Sequence, residues 1–235
     1  MAEWSDELTE KLLQLNRLII EEESLPTTLQ RVAELACSTV RGCDNCGLTL
    51  DQGGHPATVA HTGAEALDLD HAQYVADRGP CLDSYRENMR VHLASISSGT
   101  GRWPEFSSEA ARLGVRSSLS IPLSYDETPM GALNLYSRTE DAYDGEALSL
   151  AEVYSAQAAV AISNAVLYWK TVELTQNLQV ALRSREVIGQ AKGILMAQSK
   201  LTGDEAFGRL RAASQRRNQK LVDVAEHVVR TGELP

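Results

Sequence analysis

Between residues 6 and 22, Leu8, Leu12, Leu15, Leu18 and Ile19 recur every three or four positions, the period of one helix face. The Ser-Leu-Pro that follows closes that element. A second amphipathic run covers 26–41 through Leu29, Val32, Ala33, Leu35, Ala36 and Val40. The period then shortens to two. Asn45 to Asp51 reads as a strand ended by Gln52-Gly53-Gly54, and Pro56 to His61 as its returning partner. Residues 68–78 resume helical spacing, and Gly79-Pro80-Cys81-Leu82 reads as a break. Arg90 to Ile96 predicts a strand, 97–104 a loop, and Phe106, Ala110 and Leu113 a short helix. Ser117 to Leu123 and Gly131 to Ser137 alternate apolar and polar residues as half-buried strands do, and 124–130 joins them as a hairpin. The class this predicts is α+β, an antiparallel sheet flanked by helices.

From Asp144 the pattern changes. Residues 145–199 contain no proline, only Gly145, Gly189 and Gly193 as glycines, and are dominated by helix-favouring residues. Val160, Leu167, Leu174, Ala181, Ile188 and Leu195 recur every seven positions, as a coiled-coil seam requires. The companion positions, Asn164, Thr171, Leu178 and Arg185, are poor for that role, so a continuous helix is better supported than a regular coiled coil. After Lys200, Leu-Thr-Gly breaks the helix, and Thr202 with Glu205 predicts a capping box. Helices are expected over about 204–216 and 220–230, turning Ala206, Phe207, Leu210 and Ala213 inward. Three helices in so few residues bury little area, so support from a second copy or the preceding helix is expected. The predicted organisation is one α+β domain over 1–168, then a small helical module over 169–235.

The formal charge of the 235-residue chain is −10, but it is unevenly spread. Residues 181–220 carry nine basic and three acidic side chains, whereas 1–180 carry twelve and twenty-six. A net of about +6 beside −14 points to a polyanion partner for the helical module alone. An acidic body near a basic patch could also screen it until a signal arrives, over roughly 8–10 Å in salt. No run is expected to supply the ~20 apolar residues that cross a bilayer. The acidic N-terminus is unlike a secretory signal, so a cytoplasmic protein is expected.

Catalytic signatures are lacking: no Walker loop, ordered Ser-His-Asp set or paired carboxylates stand out, and no enzyme is expected. No cofactor motif is visible and the histidines are scattered, so no metal is expected either. Cys43 and Cys46 form C-x-x-C without a second pair or nearby histidine pair, and read as buried thiols. Cys81, after Gly79-Pro80, is a minor candidate for an exposed redox or ligand-contacting thiol.

Within the basic window, Arg185, Gly189 and Lys192 fall on one helix face, and small Ala191 and Gly193 flank the lysine. A bulky partner can approach the backbone there. Arg211, Ser214 and Asn218 share i, i+3, i+7 geometry, mixing a guanidinium fork with a hydroxyl and an amide suited to phosphates, base edges and 2′-hydroxyls. Phe207, the module's one aromatic, is expected in the core, which disfavours stacking on single strands and favours a folded RNA. A helix-turn-helix contact with DNA, centred on Leu201-Thr202-Gly203, is the alternative, but leaves the small-residue patch unexplained. A dimeric signalling adaptor with no RNA target is another.

The segment IGQAKGILM at 188–196, followed by Ala206-Phe207, Leu210-Arg211, Ser214, Asn218, Leu221 and Asp223-Val224-Ala225, strongly resembles the ANTAR family. The resemblance spans roughly 175–232. It implies a three-helix RNA-binding antiterminator that dimerises through its long first helix and binds RNA carrying two small hairpins, preventing a terminator. On that basis Lys192, Arg211, Ser214, Arg216, Arg217 and Asn218 are the candidate RNA contacts, with Gln190 and Arg209 added. DNA becomes an unlikely partner. Residues 14–168 are more weakly similar to GAF domains, through GPCL at 79–82, RVHLASI at 90–96, WPEF at 103–106, VRSSLSIPL at 115–123 and GALNLYS at 131–137. This implies a sheet of five or six antiparallel strands and, in many members, a small bound ligand of unassigned identity. The signature associated with cyclic nucleotides is absent.

Overall fold

The computed structural model describes residues 10–15, 17, 24–126 and 128–235. Of the helix expected over 6–22, residues 10–15 and 17 are described and helical, while Leu8, Leu18 and Ile19 lie outside the described residues. The chain divides into two compact units, Met1–Trp169 and Lys170–Pro235.

The first unit contains α1 (Leu25–Thr39), β1 (Asn45–Asp51), β2 (Pro56–His61), α2 (Ala64–Ala76), α3 (Pro80–Glu87) and β3 (Val91–Leu93). A short 3-10 turn (Ile96–Gly99), α4 (Pro104–Leu113), β4 (Ser117–Tyr125) and β5 (Thr128–Ser137) follow. The strands form one antiparallel sheet in the order β2-β1-β5-β4-β3. The expected class, an antiparallel sheet flanked by helices and followed by a long helix with further helices, is the one found.

Two local expectations fail. Gly79-Pro80-Cys81-Leu82 does not break the chain but opens α3: Pro80 occupies the first turn, where its missing N–H costs nothing. The strand expected over 90–96 shrinks to three residues because Ile96 enters the 3-10 turn.

Alternation along β4 and β5 separates two faces of very different chemistry. Leu119, Ile121 and Leu123 of β4 join Leu133 and Leu135 of β5 and Leu48 and Leu50 of β1 in an apolar core under α1. The opposite face carries Thr49, Asn134, Tyr136, Ser118 and Ser120. It is not solvated, as half-buried strands would be, but fully buried beneath α2 and α3. A third layer beside it packs Ala66, Leu69, Trp103, Phe106, Ala110 and Val115.

Helix α5 runs unbroken from Gly145 to Ser199, and the division between the units falls inside it. Its length and apolar composition would suffice to cross a membrane, contrary to expectation. Tertiary packing accounts for part of that apolarity: Ala147, Ala151, Tyr154, Ala158, Ala159 and Ile162 lie in the sheet's apolar core. Tyr154 donates to the Val32 carbonyl at 2.7 Å and Ser155 to the Pro122 carbonyl at 2.9 Å, tying the helix to α1 and β4.

In the second unit α5 ends where Lys200 takes a left-handed conformation (φ 52°). α6 (Gly203–Arg217) then starts with the predicted capping box: Thr202 Oγ1 accepts from Glu205 N–H, and Glu205 Oε2 accepts from Thr202 N–H at 2.7 Å. α7 (Leu221–Thr231) follows a turn of three residues. Ala191, Leu195, Ala206, Leu210, Ala213, Val224, Ala225 and Val228 form the core. The seven-residue repeat is therefore not one seam. Leu195 is buried and Ile188 half-buried among α6 and α7, whereas Leu167 and Leu174 remain exposed.

Candidate nucleic-acid interface

The buried stripe of α6 is Ala206, Leu210 and Ala213. With about 100° per residue, the remaining candidates fall on two flanks of it. Phe207, Arg211 and Ser214 share one flank, within an arc of about 60°, and Arg209 and Arg216 the other. Arg217 lies exposed at the helix end, in line with the stripe.

The first flank borders α5. Lys192 Nζ sits 5.9 Å from the centre of the Phe207 ring, within cation–π range. Phe207 is not in the core as expected: it is 39% exposed. Lys192 and Met196 both lie against Gly203. A Cβ added at Gly203 would stand 3.6 Å from Lys192 Nζ and 3.9 Å from Met196 Sδ. Met196 is itself partly exposed, and Gly189 and Gly193 leave open space where their side chains would be. The result is a cation, an aromatic face, a thioether and a bare stretch of helix, with Arg211 one turn beyond Phe207.

The other candidates are placed differently. Gln190 lies about 160° around α5 from Lys192, where its amide donates to Glu186 at 3.2 Å. Arg209 reaches Ser199 Oγ at 3.4 Å on the second flank. Ser214 and Asn218 hold the turn between α6 and α7. The Ser214 hydroxyl donates to the Gln219 carbonyl at 2.7 Å, and Asn218 adopts the left-handed cap (φ 51°), its N–H directed at the Ser214 and Gln215 carbonyls. Arg216 and Arg217 are exposed in the last turn of α6, where positive charge also complements the helix dipole. Lys192 and Arg211 are thus brought to one flank. Phe207 and Met196 join them there, which the sequence does not reveal because a helical repeat cannot rank neighbours at the margin of an apolar stripe.

The first unit contains a second concentration of polar groups, sealed between the sheet and α2. Asp70 is fully buried, and its carboxylate accepts from Tyr136 Oη at 2.5 Å, Asn134 Nδ2 at 3.1 Å and Thr58 Oγ1 at 2.9 Å. Thr58 and Thr49 each share a hydrogen bond with Tyr74 Oη, at 2.9 and 2.8 Å. Burial pushes the Asp70 carboxyl up to about 6, against the opposing pull of its three donors. The carboxylate lies so close to β1 that a Cβ on Gly47 would meet Asp70 Oδ2 at 2.4 Å, so a side chain there would displace the carboxylate.

Cys81, the minor candidate for an exposed thiol, is buried in this network. Its thiol donates to Thr49 Oγ1 at 3.3 Å, and burial first, then the nearby Asp70, push it up to about 12. It is no thiolate at neutral pH. Beside it the Ser84, Ser118 and Ser120 hydroxyls and Asn134 Oδ1 are buried without a hydrogen-bond partner. The sheet register puts Ser118 opposite Tyr136 and Ser120 opposite Asn134, so these groups share the polar face.

A sequence model of the GAF domain matches residues 22–163, and one of the ANTAR domain matches residues 176–229. The chain belongs to the GAF domain family and carries an ANTAR domain C-terminal to it. It therefore joins a sensor-type domain to an RNA-binding antitermination domain, neither of them a catalytic type.

No curated protein matches the sequence. Among solved structures, the GAF domain of an Acinetobacter phosphoenolpyruvate-protein phosphotransferase is similar with a TM-score of 0.53 and 19% identity, over 70% of this chain and 97% of that one. The free methionine-R-sulfoxide reductase of Neisseria meningitidis, solved with its substrate, gives 0.53 and 16%, over 72% and 96%. The GAF domain of the Coxiella burnetii phosphotransferase gives 0.51 and 16%, over 68% and 95%. At such identities these likenesses show the fold alone. One of these neighbours is an enzyme, and its activity does not transfer.

Proposed function

We propose that this protein is a cytoplasmic, homodimeric transcription antitermination regulator whose ANTAR domain binds an RNA with two small hairpins and so prevents a terminator from forming. One observation carries the reading: Lys192, Phe207 and Arg211 meet on one exposed flank beside Gly189 and Gly193. Cations there contact phosphates, and the bare helix admits a ribose-phosphate chain closely. Phe207 offers a loop base a face to stack on. A rigid DNA duplex keeps its bases stacked inside the helix and would leave that face unused.

Dimerisation is assigned to the exposed part of α5. Leu174, Leu178, Val180 and Leu182 are each more than half exposed, and a second copy of the same helix would cover them. The GAF domain would control the output by sensing a small ligand or a partner. Two-hairpin RNA and duplex DNA of equal charge, titrated against the full chain at one fixed salt concentration, test the partner. Preferential RNA binding that collapses in Lys192→Glu and Arg211→Glu, with the dimer intact, is the expected result. Unchanged affinity in those variants would favour an adaptor with no RNA target.

A further inference from the structure

Among the described residues, two of the four free cysteines face each other. Cys37 lies in the last turn of α1, and Cys43 lies in the loop leading to β1, two residues before the strand. Their sulfurs are 3.4 Å apart, and the Cys43 thiol has Cys37 Sγ and, at 3.2 Å, the Asn45 carbonyl as its acceptors. Neither belongs to the buried network around Asp70 or to the basic flank of the second unit. Both are only partly buried, unlike Cys46 and Cys81. The loop between them turns at Gly42 (φ +82°), whose added Cβ would stand 2.7 Å from the Ala142 carbonyl, just before α5 begins.

We infer that Cys37 and Cys43 form a reversible disulfide, making the first unit responsive to hydrogen peroxide. The sulfurs need to close by only about 1.4 Å to reach the ~2.05 Å of a bond. The two cysteines already differ in the way such a reaction requires. Donation from the Cys43 thiol, and then from Thr62, lowers Cys37 to about 7 despite partial burial and the repulsion of Asp44. Hydrogen bonding to Cys37 and burial raise Cys43. Cys37 is thus the thiol that ionises more readily and Cys43 the reserve thiol.

The chemistry balances with the peroxide as sole oxidant. Cys37 S⁻ attacks one peroxide oxygen, the O–O bond breaks, and the departing hydroxide takes a proton to give water. Cys37 is then a sulfenic acid. The Cys43 sulfur attacks the Cys37 sulfur, the S–O bond breaks, and the thiol proton leaves with hydroxide as a second water. Both sulfurs are oxidised, and the peroxide supplies both electron vacancies by becoming two waters. A dithiol reductant reverses the bond by exchange. In a reducing compartment a disulfide of this kind is transient and suits sensing better than bracing.

The test uses the full chain and hydrogen peroxide added in stoichiometric amount at neutral pH. Free thiols should fall from four to two, and peptide mapping should find Cys37 joined to Cys43, with full recovery on adding a dithiol. Cys37→Ser should slow thiol loss about tenfold or more, whereas Cys46→Ser and Cys81→Ser should leave it unchanged. Cys43→Ser should accumulate a sulfenic acid that dimedone labels at Cys37. Four thiols surviving the peroxide, a linkage between any other pair, or a link between two chains would each overturn the inference. Mapping of the unsubstituted chain decides the matter even if a serine variant folds poorly.

Discussion

Phe207→Ala separates recognition from folding more cleanly than any charge substitution. The ring is 39% exposed and lies outside the buried stripe of α6. Truncating it should therefore cost much less than the roughly 3–5 kcal/mol of a core phenylalanine. The Lys192 contact, at 5.9 Å from the ring centre in an exposed setting, adds only about 0.5 kcal/mol. If a loop base stacks on the ring, binding loses about 1–3 kcal/mol, a weakening of roughly 5- to 150-fold. The ring is neutral, so the salt dependence should keep its slope, whereas Lys192→Ala should reduce it by about one. Fluorescence anisotropy with a labelled two-hairpin RNA at several salt concentrations reads both, and thermal melting reads the fold. Phe207→Trp should restore affinity. A stacking role for Phe207 is refuted if Phe207→Ala melts far below the parent, or if the folded variant binds RNA as tightly as before.

Three further outcomes are expected. Gly193→Ala should stabilise α5 by up to about 1 kcal/mol, since the added methyl meets nothing, yet weaken RNA binding by filling the approach to the backbone; melting and anisotropy together check this. Asp70 has its carboxyl raised from 3.8 to about 6 in the fold, so the native state holds the proton more tightly. Its contribution is full below about pH 4 and is lost as pH rises through about 6, by about 3 kcal/mol in all. Urea unfolding of Asp70→Asn should lack that decline between pH 4 and 6. Leu174→Glu, at a position 69% exposed, should leave the melting of the first unit intact while sedimentation shows loss of the proposed dimer.

Much of this protein was legible in the chain itself. The Leu-Asn-Leu-Tyr alternation in β5, the Thr202–Glu205 box and the proline-free run from 145 to 199 each specify local structure through a short-range rule, of side-chain direction, capping or propensity. The concentration of positive charge in 181–220 is likewise a property of the sequence alone. Periodicity does not say what covers a face. The polar side of β5 looked solvated, but α2 and α3 bury it, and Asp70, Thr58, Tyr74 and Cys81 arrive from distant segments to satisfy most of its hydrogen bonds. The seven-residue repeat could not announce that Leu195 serves α6 and α7 while Leu174 does not. Nor could it place Phe207 outside the core, or bring Cys37 against Cys43 across a turn set by Gly42. Spacing fixes direction along one element. Burial, proximity and titration depend on which other elements are laid against it, and that is settled only when the layers pack.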